Sequence, residues 1–279
     1  GCSLLFMPDS VGVIYDLGAN AGNNLPYYLS RARKVVAVEA NPLLVRRILH
    51  DFSLEIASGR LVVCGCVLAP YSSSSVPFYV HRRDSHLSCL VLPDGASHAD
   101  YEVVYVPSIS VVDLVRAEGE PMYMKVDLEG ADSMVLEQLF HAEIYPCYLS
   151  VELQTIKPLA LIYETNRYHS FQLMDARKFS VLPAPTLDSS LAFAHCFVFN
   201  EDTAGPFGAD IPYPWMDRQQ ALRNLSIQGL GWRDLHARMQ VPDQNARVWL
   251  EYYSILSLLG ALARKVMRRP TGPGLRNSL

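Results

Sequence analysis

Three short stretches of this sequence set glycine beside charged side chains in an order that could do chemistry. Residues 15–23 read YDLGANAGN, residues 36–42 read VAVEANP, and residues 122–132 read MYMKVDLEGAD. In the first, an apolar run enters Gly-Ala-Asn-Ala-Gly and leaves in a helical pattern. Glycine lets the backbone turn sharply and lets a ligand approach it closely. Gly18, Asn20 and Gly22 are the candidate contacts. Asp16, just ahead of the turn, could accept from a cationic amino group. In the second stretch Glu39 ends an apolar run 23 residues after Asp16. In doubly wound folds a carboxylate about 20 residues beyond the first turn accepts from both hydroxyls of a ribose. In the third, Lys125, Asp127 and Glu129 interrupt a strand that is otherwise apolar, and alternation places them on one face. Charges are seldom buried without partners. Glu152, in LSVELQ, ends another apolar run and could complete an acid cluster with Asp127 and Glu129. Each stretch also has a plainer reading: an ordinary glycine turn, a solvated glutamate, an ion pair ordering a sheet edge.

The turn reads G-x-N-x-G. A pyrophosphate-binding fingerprint would read G-x-G-x-x-G, so a nicotinamide dinucleotide is disfavoured. A ribose carboxylate together with an acceptor for an amino group suits S-adenosylmethionine (SAM) instead.

The elements that must position these residues can be read around them. Residues 11–18, 34–40 and 60–68 are predicted strands, with helices over 23–33 and 43–52 between them. Asn41 caps the second helix, and Pro42 takes its first turn. Strands alternating with helices imply parallel βαβ units. Residues 76–83 and 101–108 read as two strands joined by a polar stretch, a hairpin or a flap over the site. Ser110 and Asp113 make a capping-box-like start to a helix ending near Gly119. Residues 121–130 and 147–153 are the fourth and fifth strands, flanking a helix over 131–141. Residues 171–182 and 191–200 are expected to form a closing strand pair. GPFGADIPYPW (205–215) reads as an irregular arm. Helical patterns follow at 217–226, 231–239 and 244–267. The expected division is a domain over 1–200, an arm and helical extension over 201–270, and a disordered tail over 271–279.

Composition narrows the classes. The 279 residues are 50% hydrophobic and carry a formal net charge of −4, which excludes an intrinsically disordered chain and argues against a broad nucleic-acid surface. Six cysteines include no C-x-x-C pair and no zinc spacing, so buried free thiols in a reducing compartment are expected. The cytoplasm is the expected location. The opening GCSLLFMPDS has neither a basic region nor an apolar run long enough for a signal peptide; the sequence reads as a fragment that could have lost an upstream targeting segment. Trp249, Leu250, Tyr253 and Leu256 form an apolar stripe followed by Arg264, Lys265, Arg268 and Arg269. Such a helix packs on its own domain or lies on an anionic membrane.

DLGANAGN, VEANP and KVDLEGAD, in this order, resemble the FkbM-type family of SAM-dependent methyltransferases, over roughly residues 11–200 and more loosely over 201–240. The resemblance implies an α/β protein with a Rossmann-like class I methyltransferase fold: a mostly parallel seven-stranded sheet flanked by helices, here with a C-terminal helical extension. It implies SAM as methyl donor and a hydroxyl oxygen of a sugar, glycoconjugate or small metabolite as acceptor. By position, Asp16, Gly18, Asn20 and Gly22 would surround the methionine end of SAM, and Glu39 would hold the ribose. Asn41 would lie beside the adenosine. Cys66 and Val67 would flank the adenine, where the family more often has an alanine-type residue.

An alcohol is a poor nucleophile at neutral pH, so a base or a metal should help remove its proton. Asp127 or Glu129 could be that base, or His86 in RRDSHLSC. Alternatively Asp127, Glu129 and Glu152 could hold Mg²⁺ or Mn²⁺, which favour such oxygen ligands. Arg82, Arg83 and Asp84 form a charged loop that could meet an acidic acceptor, and His195 reads as a core histidine. Two alternatives stay open: nitrogen methylation of a protein or peptide, against which the fourth strand ends in DLEG rather than an N-P-P-Y type motif, and a SAM-binding-fold module without activity.

Overall fold

A computed structural model describes residues 12–187 and 197–241. The expected helix over 244–267, the tail, His195 and most of the expected strand over 191–200 lie outside them. The described elements begin with β1 (Val13–Leu17), α1 (Leu25–Leu29), β2 (Lys34–Val38), α2 (Pro42–Asp51), α3 (Ser53–Ala57) and β3 (Leu61–Cys64). Next come β4 (Val67–Leu68), β5 (Ser73–His81), β6 (Tyr101–Ile109), α4 (Val111–Glu118), β7 (Pro121–Val126) and α5 (Asp132–His141). The last are β8 (Tyr148–Glu152), α6 (Lys157–Glu164), β9 (Ser170–Asp175), α7 (Arg218–Gln228) and β10 (Arg233–Arg238).

Seven strands form one sheet in the order β3-β2-β1-β7-β8-β10-β9. β3, β2, β1, β7 and β8 run parallel, and β10 runs antiparallel to both β8 and β9. Alternation along β1 divides the core. Val13, Tyr15 and Leu17 pack with α4, α5 and α6, whereas Ile14 packs with α1 and α2 on the other face. Helices therefore cover both faces, as parallel sheets require. The arm at 205–215 is no loose appendage. Phe207 stacks on Tyr123 of β7 at 4.0 Å between ring centroids, and the Tyr27 hydroxyl bonds both Phe207 N–H and Asp210.

A second sheet, β4-β6-β5, holds the expected hairpin, with β5 antiparallel to β6. Ser110 caps α4 through the Asp113 N–H, as its spacing predicts, and Asn41 caps α2 through the Leu43 N–H.

Three expected elements are corrected. The third strand stops at Cys64, where the Cys66 N–H turns back to the Cys64 carbonyl, and Val67–Leu68 joins the second sheet. The strand expected over 171–182 ends at Asp175, whose side chain accepts from the Arg177 N–H and starts a 3-10 helix over Ala176–Val181. Residues 231–239, expected to be helical, form β10. Gly229 and Gly231 adopt positive φ of 77° and 114°, ending α7 and freeing the chain to enter the sheet. Residues beyond the expected boundary at 200 thus supply an inner strand of the main sheet.

Candidate active site

The carboxyl ends of β1, β2, β7 and β8 open into a cavity of about 490 Å³. Clefts of this size accommodate small ligands and cofactors. One end is built by the glycine turn. The N–H groups of Gly18 and Ala19 both donate to the Val38 carbonyl, pinning the turn onto β2. Gly18 has φ +86°, and a Cβ there would lie 1.9 Å from the Asp127 carbonyl oxygen, so only glycine fits. Asn20 holds a left-handed φ of 48° at the tip of the turn. Gly18, Ala19 and Asn20 line the cavity. Gly22 sits behind them, turned toward Leu25, Ile48 and Phe52. Helix α1 beyond is only five residues long, shorter than the pattern predicts.

Glu39 is the second wall. Its carboxylate accepts from the Asn20 N–H at 2.8 Å and from the Asn41 N–H at 2.7 Å, one bond on each oxygen. A carboxylate has about four acceptor positions, which leaves two for a diol. Burial pushes its pKa up to about 7. Cys66, Val67, Leu68 and Phe78 give this end an apolar wall fit for a flat ring. Asn41 is buried and spends its side chain on the α2 cap, so it acts through Glu39 and the helix start.

Asp16 is placed differently from the expectation. It is 0% exposed, and its carboxylate faces the Lys125 ammonium at 3.4 Å. The β1–β7 register sets the two residues side by side. The cation that Asp16 was expected to meet in a ligand is supplied by the chain itself. Burial raises the Asp16 pKa, and Lys125 opposes that.

At the other end three carboxylates converge. Asp127, Glu129 and Glu152 each offer an oxygen within 4.8 Å of the others. The Gln154 amide donates to Glu129 at 3.0 Å and to Glu152 at 2.7 Å, holding two of them together. Burial first, then the nearby Asp127 charge, pushes the Glu129 pKa up to about 7 and raises that of Glu152. All three are partly exposed, and Asp127 pairs with Lys125 at 3.1 Å.

The hairpin expected as a flap does cover the cavity, through residues 84–90 between β5 and β6. Ser85 donates to Asn20 Oδ1, and Asn20 Nδ2 donates to His86 Nδ1 at 3.1 Å. His86 is therefore tied to the glycine turn, not to the carboxylates. Asp84 caps this segment through the His86 N–H and lines the cavity, while Arg82 bonds the Ala99 carbonyl.

Sequence reasoning missed Asp234 and Trp232. Both line the cavity, and Asp234 pairs in register with Glu152 across β10 and β8. Burial, then Asp127 and Glu152, push the Asp234 pKa up to about 8. The signal available was the apolar alternation of Leu235 and Ala237, which a helical reading hid; His236 between them is buried as well. Among the described residues no helix is long and apolar enough to cross a membrane, and Cys64, Cys66 and Cys89 are in no disulfide.

The strand order, the reversed strand between β8 and β9, and a crevice at the carboxyl ends define a Rossmann-like class I methyltransferase fold. No family model matches the sequence, and no curated protein does. Among solved structures the chain is similar to the methyltransferase FkbM from Methylobacillus flagellatus KT, at 17% identity and a TM-score of 0.41, over 62% of this chain and 42% of that one. It is also similar to the C-terminal domain of precorrin-6Y C5,15-methyltransferase from Rhodobacter capsulatus, at 8% identity and 0.38, over 84% and 83%. A third is an rRNA methylase from Streptococcus thermophilus, at 9% identity and 0.36, over 83% and 89%. The chain spans less than half of the FkbM protein. These likenesses decide nothing about the acceptor; the fold assignment rests on the strand order.

Proposed function

We propose that the protein is a SAM-dependent methyltransferase acting on a hydroxyl oxygen of a sugar, glycoconjugate or small hydroxylated metabolite. One observation carries this reading: a single cavity joins a glycine turn and Glu39 at one end to the Asp127, Glu129 and Glu152 carboxylates at the other. The residues present fit the donor. Glu39 retains acceptor capacity for a ribose, the turn leaves backbone exposed, and the apolar wall suits adenine.

SAM supplies a methyl carbon already activated by sulfonium, so the protein's part is positioning and proton removal. Glu129, titrating near neutrality, is suited to take the acceptor's hydroxyl proton. Asp127, held by Lys125, is suited to anchor a neighbouring hydroxyl. His86 takes the lesser part, closing the flap over the turn.

Eight carboxylates and one lysine line the cavity among the described residues. Such a wall repels a polyanion, which supports a small or glycan acceptor over RNA. It attracts cations, and the three converging oxygens suit Mg²⁺ or Mn²⁺ as ligands. In that role the Gln154 amide would have to turn its nitrogen away from Glu129 and Glu152.

Calorimetric titration with SAM is the test. Micromolar binding supports the reading and justifies a screen of hydroxylated sugars with methyl-labelled SAM. Absence of heat with folded protein would leave the inactive-module alternative. Metal is tested separately by Mn²⁺ titration followed by electron spin resonance. Glu152→Gln is expected to weaken Mn²⁺ binding at least tenfold; equal binding by both proteins would remove the metal from the mechanism.

A further inference from the structure

Lys125 is the only lysine or arginine among the described residues that line the cavity, and its ammonium lies between the glycine turn and Asp127. It donates to the Gly18 carbonyl at 2.9 Å and lies 3.1 Å from Asp127 Oδ2 and 3.4 Å from Asp16 Oδ1. Its hydrogen bond is to the Gly18 carbonyl; the two carboxylates are ion-pair neighbours, and both Asp16 oxygens are buried with no hydrogen bond, so the ammonium charge is what offsets them. The Lys125 side chain is 8% exposed. Burial opposes its charge, but Asp127 and Asp16 outweigh burial and hold its pKa above the ordinary lysine value.

We propose that Lys125 is a positioning residue that couples the cofactor turn to the acceptor-side carboxylate. The proposal rests on the methyltransferase reading above. The Gly18 carbonyl belongs to the residue whose backbone the amino-acid end of the cofactor must pass. Asp127 follows the end of β7, and its N–H donates to the Leu17 carbonyl next to that turn. One ammonium therefore sets both the direction of the Gly18 carbonyl and the direction of the Asp127 carboxylate. Asp16 serves as the buried counter-charge beneath the ammonium, which accounts for its full burial without any contact with a ligand. Lys125 so controls recognition of the amino-acid end, whereas Glu39, more than one strand away, controls recognition of the nucleoside.

The test compares two ligands that share the nucleoside and thioether but differ in the amino-acid end: S-adenosylhomocysteine and 5′-methylthioadenosine. Lys125→Met alone would leave Asp16 buried beside no cation and could unfold the chain. The informative variant is Asp16→Asn combined with Lys125→Met, which removes both buried charges and nearly keeps the volume; circular dichroism and thermal melting verify its fold. Binding of S-adenosylhomocysteine is expected to fall at least tenfold, with 5′-methylthioadenosine changed less than twofold. In a double-mutant cycle, Asp127→Asn is expected to change S-adenosylhomocysteine affinity at least threefold more in the wild type than in the double variant. Equal losses for both ligands would make Lys125 merely structural and overturn the proposal, as would unchanged affinity or additive effects. Failure of the wild type to bind either ligand would instead refute the methyltransferase reading, and the proposal with it.

Discussion

Glu39→Gln is expected to weaken SAM binding about a hundredfold while the protein stays folded. Two hydroxyl donors would lose a charged acceptor, and hydrogen bonds to charged groups contribute about 1.5–3 kcal/mol each. The amide could keep only one of the two backbone bonds, from Asn20 or Asn41, so part of the loss would come through the turn. The pH dependence identifies the cause. In the free protein burial holds the Glu39 pKa near 7. A diol donating to the carboxylate favours its ionised form, so binding should expel a proton near neutrality. SAM affinity should therefore rise between pH 6 and 8 in the wild type and stay flat in the variant. Calorimetry in buffers of different ionisation enthalpy would count the proton. Stability of the free protein should run the other way. An acid whose pKa is raised by folding contributes stability that is complete below its unfolded value near 4.5 and lost as pH rises through 7. Thermal melts of the variant should lack that slope. Wild-type affinity from Glu39→Gln would remove Glu39 from the ribose.

Gly18→Ala should do more damage. The new Cβ would meet the Asp127 carbonyl oxygen at 1.9 Å, and the φ of +86° is strained for any L side chain. Both atoms it would crowd, the Asp127 carbonyl oxygen and carbon, are backbone and cannot swing aside as a side-chain end would. The turn must move, and its movement breaks the Lys125 bond to the Gly18 carbonyl and the pair of bonds to Val38. A stability loss of about 3 kcal/mol or more is expected, with SAM binding abolished. Gly130→Ala is the control. It has a similar φ of +97° but nothing within 4 Å of its Cβ, so only strain of about 1–2 kcal/mol applies. Calorimetry and thermal melting on both variants separate contact from strain. SAM binding by Gly18→Ala within threefold of wild type would disprove the role of the turn.

Local signals were the readable ones. The turn, the Asn41-Pro42 helix start, the Ser110 cap and the hairpin each depend on a few adjacent residues, and each appears where its residues predict. Partnerships across the sheet were not readable. Asp16 and Lys125 meet only because β1 and β7 are neighbours in register, so Asp16 alone looks like a ligand contact. Asp234 joins the acid cluster only because β10 runs backward beside β8. The segment 231–239 looks helical because Arg, Asp, His and Ala tolerate a helix, while its burial in the middle of a sheet is decided by distant partners. The third strand was read too long because LVVCGCVL is apolar throughout, and only the turn at Cys66 divides it between two sheets.

The placement of β10 also governs the order in which the molecule can be completed. β8 and β9 precede it in the chain, yet neither pairs with the other; both wait for residues 233–238. During synthesis they emerge first and present two facing rows of unpaired N–H and C=O groups, the kind of edge that invites aggregation. A protease that cut the glycine-punctuated stretch ahead of β10 would turn this strand into a separable peptide. Among the described strands, then, the sheet closes like a zip whose slider arrives last, and Asp234, carried on the slider, joins the carboxylates only when it does.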